Sequence, residues 1–369
     1  MQADLNGKNQ SAYRKKARKK ANIGTFTPLL AVLLALVIGA GFIAMTGADP
    51  VNAYHWLIYG AFGSVNSIGE TLVKTTPLLI AGLGLSISFR ASMTSIGAEG
   101  QIIMGGLFAT LAGLYFTGLP AFLMIPIVIL TGFVGGGLWG AIPGILKAKL
   151  GVSEIINTIM LNYIATYFVG YLLDVPLREP PGYYPQTAQI AQTGWLPYIL
   201  PGTRLHAGII VGLLLVALTY LLMFRLPLGY KIRAVGLNPN AAKYGGISVE
   251  KNMVIAMILS GGLAGIAGAC EIAGVHHRLL SGFSSNYGFD AIAVALPGNL
   301  HPVGVLLSSL FFGALHVGAS SMQRVAQVPA SVVSVIQGLV VIFVLADKFF
   351  RKYLIRWQNK SAKTRGEEC

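Results

Sequence analysis

Apolar residues fall in long runs along this chain, separated by short polar punctuation, and each run reads as a membrane-spanning helix. The runs are Pro28 to Thr46, Thr71 to Phe89, Gly97 to Thr117, Ala121 to Leu146 and Glu154 to Leu173. They continue with His206 to Phe224, Asn252 to Val275, a short one around Gly288 to Leu296, Val303 to Gly318 and Ala330 to Ala346. The predicted fold class is an all-α polytopic membrane protein of about ten transmembrane segments, the eighth (near 286–297) either a short span or a re-entrant segment. One break stands out, SFRASMTSIGAEGQIIMGG from Ser88 to Gly106. An apolar run stops at Arg90, small and polar residues follow, and Glu99 and Gln101 flank the restart at Ile102. Such a broken helix is either a cytoplasmic turn or a discontinuity that lines a substrate path.

Basic residues test the count, because cytoplasmic loops carry an excess of Lys and Arg. With ten crossings, 22 of the 27 basic residues fall on one side: both tails, Arg90, Lys147, Lys149 and the segment Arg225 to Lys251. Lys74, Arg178, Arg204, Arg278 and Arg324 fall on the other. The expectation is therefore N-in, C-in, with a cytoplasmic basic tail at 1–27, a transmembrane domain at 28–346 and a second cytoplasmic basic tail at 347–369. The tail RKKARKK precedes an apolar run, which makes it a cytoplasmic anchor rather than a nucleic-acid patch. A cleaved signal peptide ending near Ala48 is the rival reading, against which stand an apolar core and a basic region both longer than usual.

Two connections are long. The external loop at 174–205, with REPPGYYP, has room for an irregular cap or a passive loop. The internal loop at 225–251 carries Asn238-Pro239-Asn240 and Gly245-Gly246, a helix start and stop bracketing little more than one turn. That short helix is a candidate docking element, and a solvated basic loop is the alternative.

Composition agrees with the membrane reading: 54% hydrophobic, 11% charged, mean hydropathy +0.67 and 46 glycines. Gly132, Gly136, Gly140 and Gly144 recur every four residues, a smooth ridge for close helix packing, and Gly261, Gly265 and Ala269 repeat the pattern. Polar residues inside the runs carry more information, since each is costly in hydrocarbon. The candidates for a translocation pathway are Glu99, Gln101, Asn157, Asn162, Asn286 and Asp290, with Thr158, Glu271 and Asn299 nearby in the same runs. Thr158 and Asn162 are four apart and share one stripe of a helix. Amides outnumber charges, which suits a neutral hydrogen-bonding solute better than an ion; interhelical hydrogen bonding is the bland alternative.

Cys270 and Cys369 form neither a disulfide framework nor a metal-ligand spacing, and the adjacent His276 and His277 face different ways on a helix. No metal site is expected. The chain has no GxxxxGK[ST], HExxH or GxSxG, and no acid–base constellation, so neither ATP hydrolysis by a P-loop nor other enzymatic chemistry is expected of it.

Four ordered motifs carry a resemblance: SIGAEGQIIMGG, SEIINTIMLNYIA, GLNPNAAKYGGIS and NYGFDAIAVALPGNLHPVG. They resemble the permease subunits of bacterial ABC importers for nucleosides and simple sugars, a branched-chain-type permease family, over roughly Thr71 to Ala346. The nucleoside-type branch is the more similar, through LNY, the external loop and GNLHP. The resemblance implies several partners: an ABC ATPase subunit that uses ATP and Mg, a second and often non-identical permease, and an extracytoplasmic solute-binding lipoprotein or protein. It implies a multi-pass protein of the bacterial cytoplasmic membrane, with nucleoside as substrate, or else a sugar such as ribose or galactose. Asn238, Ala241, Ala242, Gly245 and Gly246 then resemble the coupling loop that docks into the ATPase. Pro297 departs from the leucine usual before GNLHP and should end the short eighth segment sharply. A secondary transporter or channel acting alone is the rival class; an ion-coupled carrier should bury carboxylates along its path, and Glu99, Glu271 and Asp290 are the candidates here.

Overall fold

The computed structural model describes residues 33–345. The two basic tails, the first residues of the predicted first span, and Cys369 lie outside the described residues. In chain order the helices are α1 (Leu33–Met45), α2 (Pro50–Phe62), α3 (Val65–Arg90), α4 (Ala98–Tyr115), α5 (Ala121–Leu150) and α6 (Glu154–Asp174). Then come α7 (Gly208–Phe224), α8 (Pro227–Leu237), α9 (Pro239–Tyr244), α10 (Val249–Glu271), α11 (Tyr287–Ala295), α12 (Pro302–Val325) and α13 (Ala330–Leu345). A π turn, Ile272–His276, extends α10. Among the described residues strand-like pairing is limited to two isolated bridges, Gln186 with Leu280 and Tyr198 with His206.

Among the described residues five helices are long and apolar enough to cross a bilayer: α3, α5, α6, α12, and α10 with its π turn. The pair α7 and α8, bent by 69°, would make a sixth. The coarse expectation of an all-helical polytopic membrane protein therefore holds. Two stretches differ from it. Residues 47–70, expected to be a polar connection, hold α2 and the first turn of α3. Asp49 starts α2 by accepting from the backbone N–H groups of Val51 (3.0 Å) and Asn52 (3.3 Å), and Ser64 caps α3 by accepting from Ser67 N–H (3.0 Å). The internal loop holds α8 as well as the expected short helix. Pro227 sits at its first position, and Ile232 and Val235 bury one face.

The described residues form two compact units. In the smaller (33–56 with 321–345), Tyr54 donates to the Leu36 carbonyl (2.5 Å), and Ile336 of α13 lies against Gly39. In the larger (57–320), α3 is the central post, with 83% of its apolar window buried. The largest contact is the antiparallel pair α5 and α10. The glycine ridge explains it: a Cβ on Gly136 would stand 2.2 Å from the Gly261 carbonyl oxygen, and one on Gly265 would stand 2.1 Å from that of Gly132. Gly140 and Gly144 continue the seam against Met257. From the other side α4 presses Gly105 onto Gly265, where a Cβ would meet the Gly265 Cα at 2.2 Å. Three backbones converge there with no room for a methyl group, and dispersion over that close approach is what binds helices in lipid.

The segment after α10 runs along α3: Tyr287 Oη accepts from Lys74 Nζ (2.5 Å), Val294 of α11 packs beside Gly82, and Arg90 Nε donates to the Leu300 carbonyl (2.8 Å). Helix α11 ends at Ala295 just before Pro297, and the chain turns through Asn299 and Leu300 at positive φ.

Candidate functional site

The break between α3 and α4 spans residues 91–97. A helix start leaves several backbone N–H groups without intrahelical acceptors, and Gly97, at the N-cap of α4, has no side chain to supply one. Helix α6 supplies the acceptors instead. Asn162 Oδ1 accepts from Gly100 N–H (2.9 Å) while its Nδ2 donates to the Ile96 carbonyl (2.9 Å). One turn earlier Thr158 Oγ1 accepts from Ile96 N–H (3.1 Å) and donates to its own helix at Glu154 (2.8 Å). The shared stripe read from the sequence is thus a staple: two side chains of α6 satisfy the irregular backbone that opens α4, as a chain inside lipid requires.

The arrangement repeats one helix further on. Asn286, the N-cap of α11, makes no side-chain cap. Glu99, in the first turn of α4, does so: its Oε2 accepts from Gly288 N–H (2.8 Å), and its Oε1 accepts from Ser284 Oγ (2.5 Å). Gly288 has to be glycine for this contact, since a Cβ there would fall 2.2 Å from the Glu99 nitrogen. A relay results, with α6 capping α4 and α4 capping α11. Two helix N-termini, each the positive end of a dipole, converge on the single carboxyl of Glu99. The junction is polar and rich in donors and acceptors, and among the described residues no Lys or Arg lines the cleft beside it.

A cleft of about 420 Å³ opens beside this junction, lined by Glu99, Asn162 and Asn286, the segment Leu280 to Ser285 and the adjacent face of α6. Three of the six pathway candidates therefore meet in one place. Gln101 lies behind them, 1% exposed, with its Oε1 unpartnered, near Gly140 of α5. Asn157 is half-buried, with its Nδ2 also unpartnered. Asp290 does not line the cleft; its Oδ2 lies 3.1 Å from His316 Nε2 of α12. The sequence reading missed Ser284 and the irregular segment around it.

A second polar cluster, unforeseen from sequence, sits near the start of α3. Lys74 Nζ donates to Tyr287 Oη (2.5 Å), and Glu271, 2% exposed, lies 3.6 Å from His276.

The family of the branched-chain amino acid transport system permease component matches residues 67–345. The chain belongs to that family. The guanosine ABC transporter permease protein NupP of Bacillus subtilis (strain 168) is 37% identical over 339 residues, covering 91% of this chain and 97% of the relative. The glucose ABC transporter permease protein TsgB13 of Haloferax volcanii is 36% identical, covering 89% of each chain. The nucleoside ABC transporter permease protein NupB of Lactococcus lactis subsp. cremoris (strain MG1363) is 33% identical, covering 89% of this chain and 92% of the relative. No solved structure matches. The chain is therefore a transport subunit and an integral membrane protein.

At the Glu70 end of this permease the loop at 174–205 is an ordered irregular cap rather than a passive connection. Its backbone pairs with the segment after α10, Ile190 N–H to the His277 carbonyl (2.9 Å) and Leu196 N–H to that of Ala273 (2.9 Å). Trp195 stacks on His277 with ring centroids 3.9 Å apart. Burial holds the His277 imidazole below its ordinary pKa. Arg204 forms a two-pronged pair with Glu70 (2.8 and 3.0 Å), which raises the guanidinium pKa.

At the Arg90 end, α8 rests on α3 so closely that a Cβ on Gly236 would overlap the Arg90 carbonyl. Helix α9 stands beyond it. Asn238 Oδ1 caps α9 by accepting from Asn240 (3.0 Å) and Ala241 (3.1 Å), and Ala242 is buried. Gly246 closes the segment at φ +76°, the left-handed conformation that ends helices. Leu237 and Tyr244, 88% and 95% exposed, project from the two ends of this element.

Proposed function

We propose that this chain is one membrane-spanning subunit of an ATP-driven ABC importer that moves nucleosides inward across a bacterial cytoplasmic membrane. The observation that carries the substrate reading is the relationship to guanosine and nucleoside permeases along nearly the whole chain. The chemistry of the cleft supports it. Amides, hydroxyls and two helix starts already occupied by Glu99 offer hydrogen bonds but no fixed cation for an anionic solute. Simple sugars are the second reading, supported by the glucose permease relative.

In this reading Glu99, Asn162 and Asn286 lie on the pathway, supported by the cleft they line together, with Gln101 behind them. Ten crossings with both termini cytoplasmic fit the asymmetry of 22 to 5 basic residues and the course of the chain from Tyr287, bonded to Lys74 of α3, to Leu300, bonded to Arg90. The partners are an ABC ATPase that binds ATP and Mg, a second permease of different sequence, and an extracytoplasmic binding protein. The ATPase docks on α8 and α9, a reading supported by the exposed Leu237 and Tyr244 on a packed base. Transport then follows from differential affinity of the outward and inward states for solute, driven by the ATPase.

The test is uptake of labelled nucleoside by cells that carry the whole system with this chain deleted. Unchanged uptake in the deletion strain would sink the proposal, and restored uptake of glucose alone would favour the sugar reading.

A further inference from the structure

We propose that Tyr163, Tyr167 and Tyr171 of α6 form an aromatic ladder on which the heterocyclic base of the solute stacks as it passes the cleft. The inference rests on the nucleoside reading above; it adds Tyr167 and Tyr171, which neither the motifs nor the polar candidates include, and gives a role to Tyr163 of the LNY segment.

The argument begins with what α6 buries. Its inward stripe is Thr158, Asn162, Ala165, Val169 and Leu173. The three tyrosines form another row, four residues apart, and are 57%, 74% and 60% exposed. Successive members stand ~6 Å apart along the axis, so the ladder climbs through ~12 Å of a hydrocarbon core ~30 Å thick. Aromatic belts that anchor a protein in lipid collect at the membrane interfaces instead of climbing through the depth. Among the described residues none of the three hydroxyls has a hydrogen-bond partner, and an unpartnered phenol facing hydrocarbon is costly. This row is built to face water, solute or a polar surface.

Its position selects solute. Tyr163 and Tyr167 line the same cleft as Glu99, Asn162 and Asn286. Gly170 lines it too, and a Cβ there would meet nothing within 4 Å, unlike those of the glycines that pack α4, α5 and α10. Its missing side chain keeps space open beside the ladder. A nucleoside has two kinds of surface, a flat π face and a rim of donors and acceptors, and this wall matches both. Tyrosine takes the face, and the amides and hydroxyls around Ser284 and Asn286 take the rim. Stacking tolerates different bases, as a pathway serving several solutes needs.

The experiment uses the full transporter in cells, with labelled guanosine as the probe. Tyr167→Leu should lower uptake by about tenfold while the permease pair and ATPase co-purify at wild-type yield, and Tyr167→Phe should stay within about twofold of wild type. Gly170→Ile, which fills the cleft without touching the packed core, should also lower uptake at normal assembly. Wild-type uptake by Tyr167→Leu overturns the proposal. So does loss of the second permease from the purified complex, which would make the ladder a subunit interface. A wild-type transporter that imports sugars and no nucleoside would instead overturn the underlying reading, a result distinguishable because it needs no variant.

Discussion

The most exacting prediction concerns Asn162. Replacing it with alanine removes the acceptor for Gly100 N–H and the donor for the Ile96 carbonyl, two bonds of 2.9 Å made by a residue 4% exposed. Leaving a buried group unsatisfied costs about 1–3 kcal/mol, which bounds the loss at roughly 2–6 kcal/mol. Membrane proteins sit lower, with side-chain bonds between helices averaging ~0.6 kcal/mol, because groups freed inside the bilayer find other partners. Here the freed groups belong to a helix start whose N-cap is glycine, and no neighbour within the helix can replace the lost acceptor. The expected cost is therefore about 2–4 kcal/mol. The assay is denaturant unfolding of the purified chain in detergent, for Asn162→Ala, Thr158→Val and the double variant. Both side chains hold Ile96, one at its N–H and one at its carbonyl, so the double variant should cost less than the sum of the singles. Uptake should fall together with stability, because the staple positions Glu99 and the cleft wall. An Asn162→Ala protein within about 0.5 kcal/mol of wild type would refute the trans-capping argument.

Other expectations follow from the same geometry. Glu99→Ala uncaps α11 and should abolish uptake, whereas Glu99→Gln retains one carbonyl acceptor and should keep measurable transport; equal activity in both, read by uptake, would remove Glu99 from the site. Gly265→Leu forces a side chain into the three-helix contact, where overpacking costs about 1–3 kcal/mol or more, and should eliminate folded protein in a detergent-solubility assay. Tyr244→Asp should weaken ATPase co-purification while leaving membrane insertion intact; full co-purification would count against docking at α9.

Much of this architecture was legible in the apolar runs. The apolar runs from Thr71 onward fall on helices α3 to α7 and α10 to α13, five of which are long and apolar enough to cross a bilayer by themselves. Helix α3 starts before the run at Thr71 because Ser64 caps it six residues upstream of Glu70, whose carboxylate then pairs with Arg204 from a distant loop. The glycine ridge could be read because its spacing is itself the contact surface. Helices α2 and α8 were missed because each is too short for a hydropathy window and each depends on an Asp or Pro start signal read only locally. The polar residues were legible as a set but not in their roles. Spacing put Thr158 and Asn162 on one stripe, yet what they hold is backbone more than sixty positions earlier in the chain. Asp290 looked like its neighbours in sequence, and only the fold turns it to His316 and away from the cleft. The tyrosines of α6 drew no reading from the sequence, and their exposure as a row is what sets them apart.

The central claim is tested most directly by transport in proteoliposomes that contain this chain with its partner permease and ATPase, and the binding protein outside. The account predicts ATP-dependent accumulation of labelled guanosine that disappears when this chain is omitted and is absent when it is reconstituted alone. Accumulation by the chain alone without ATP, or by the assembly lacking it, would contradict the account.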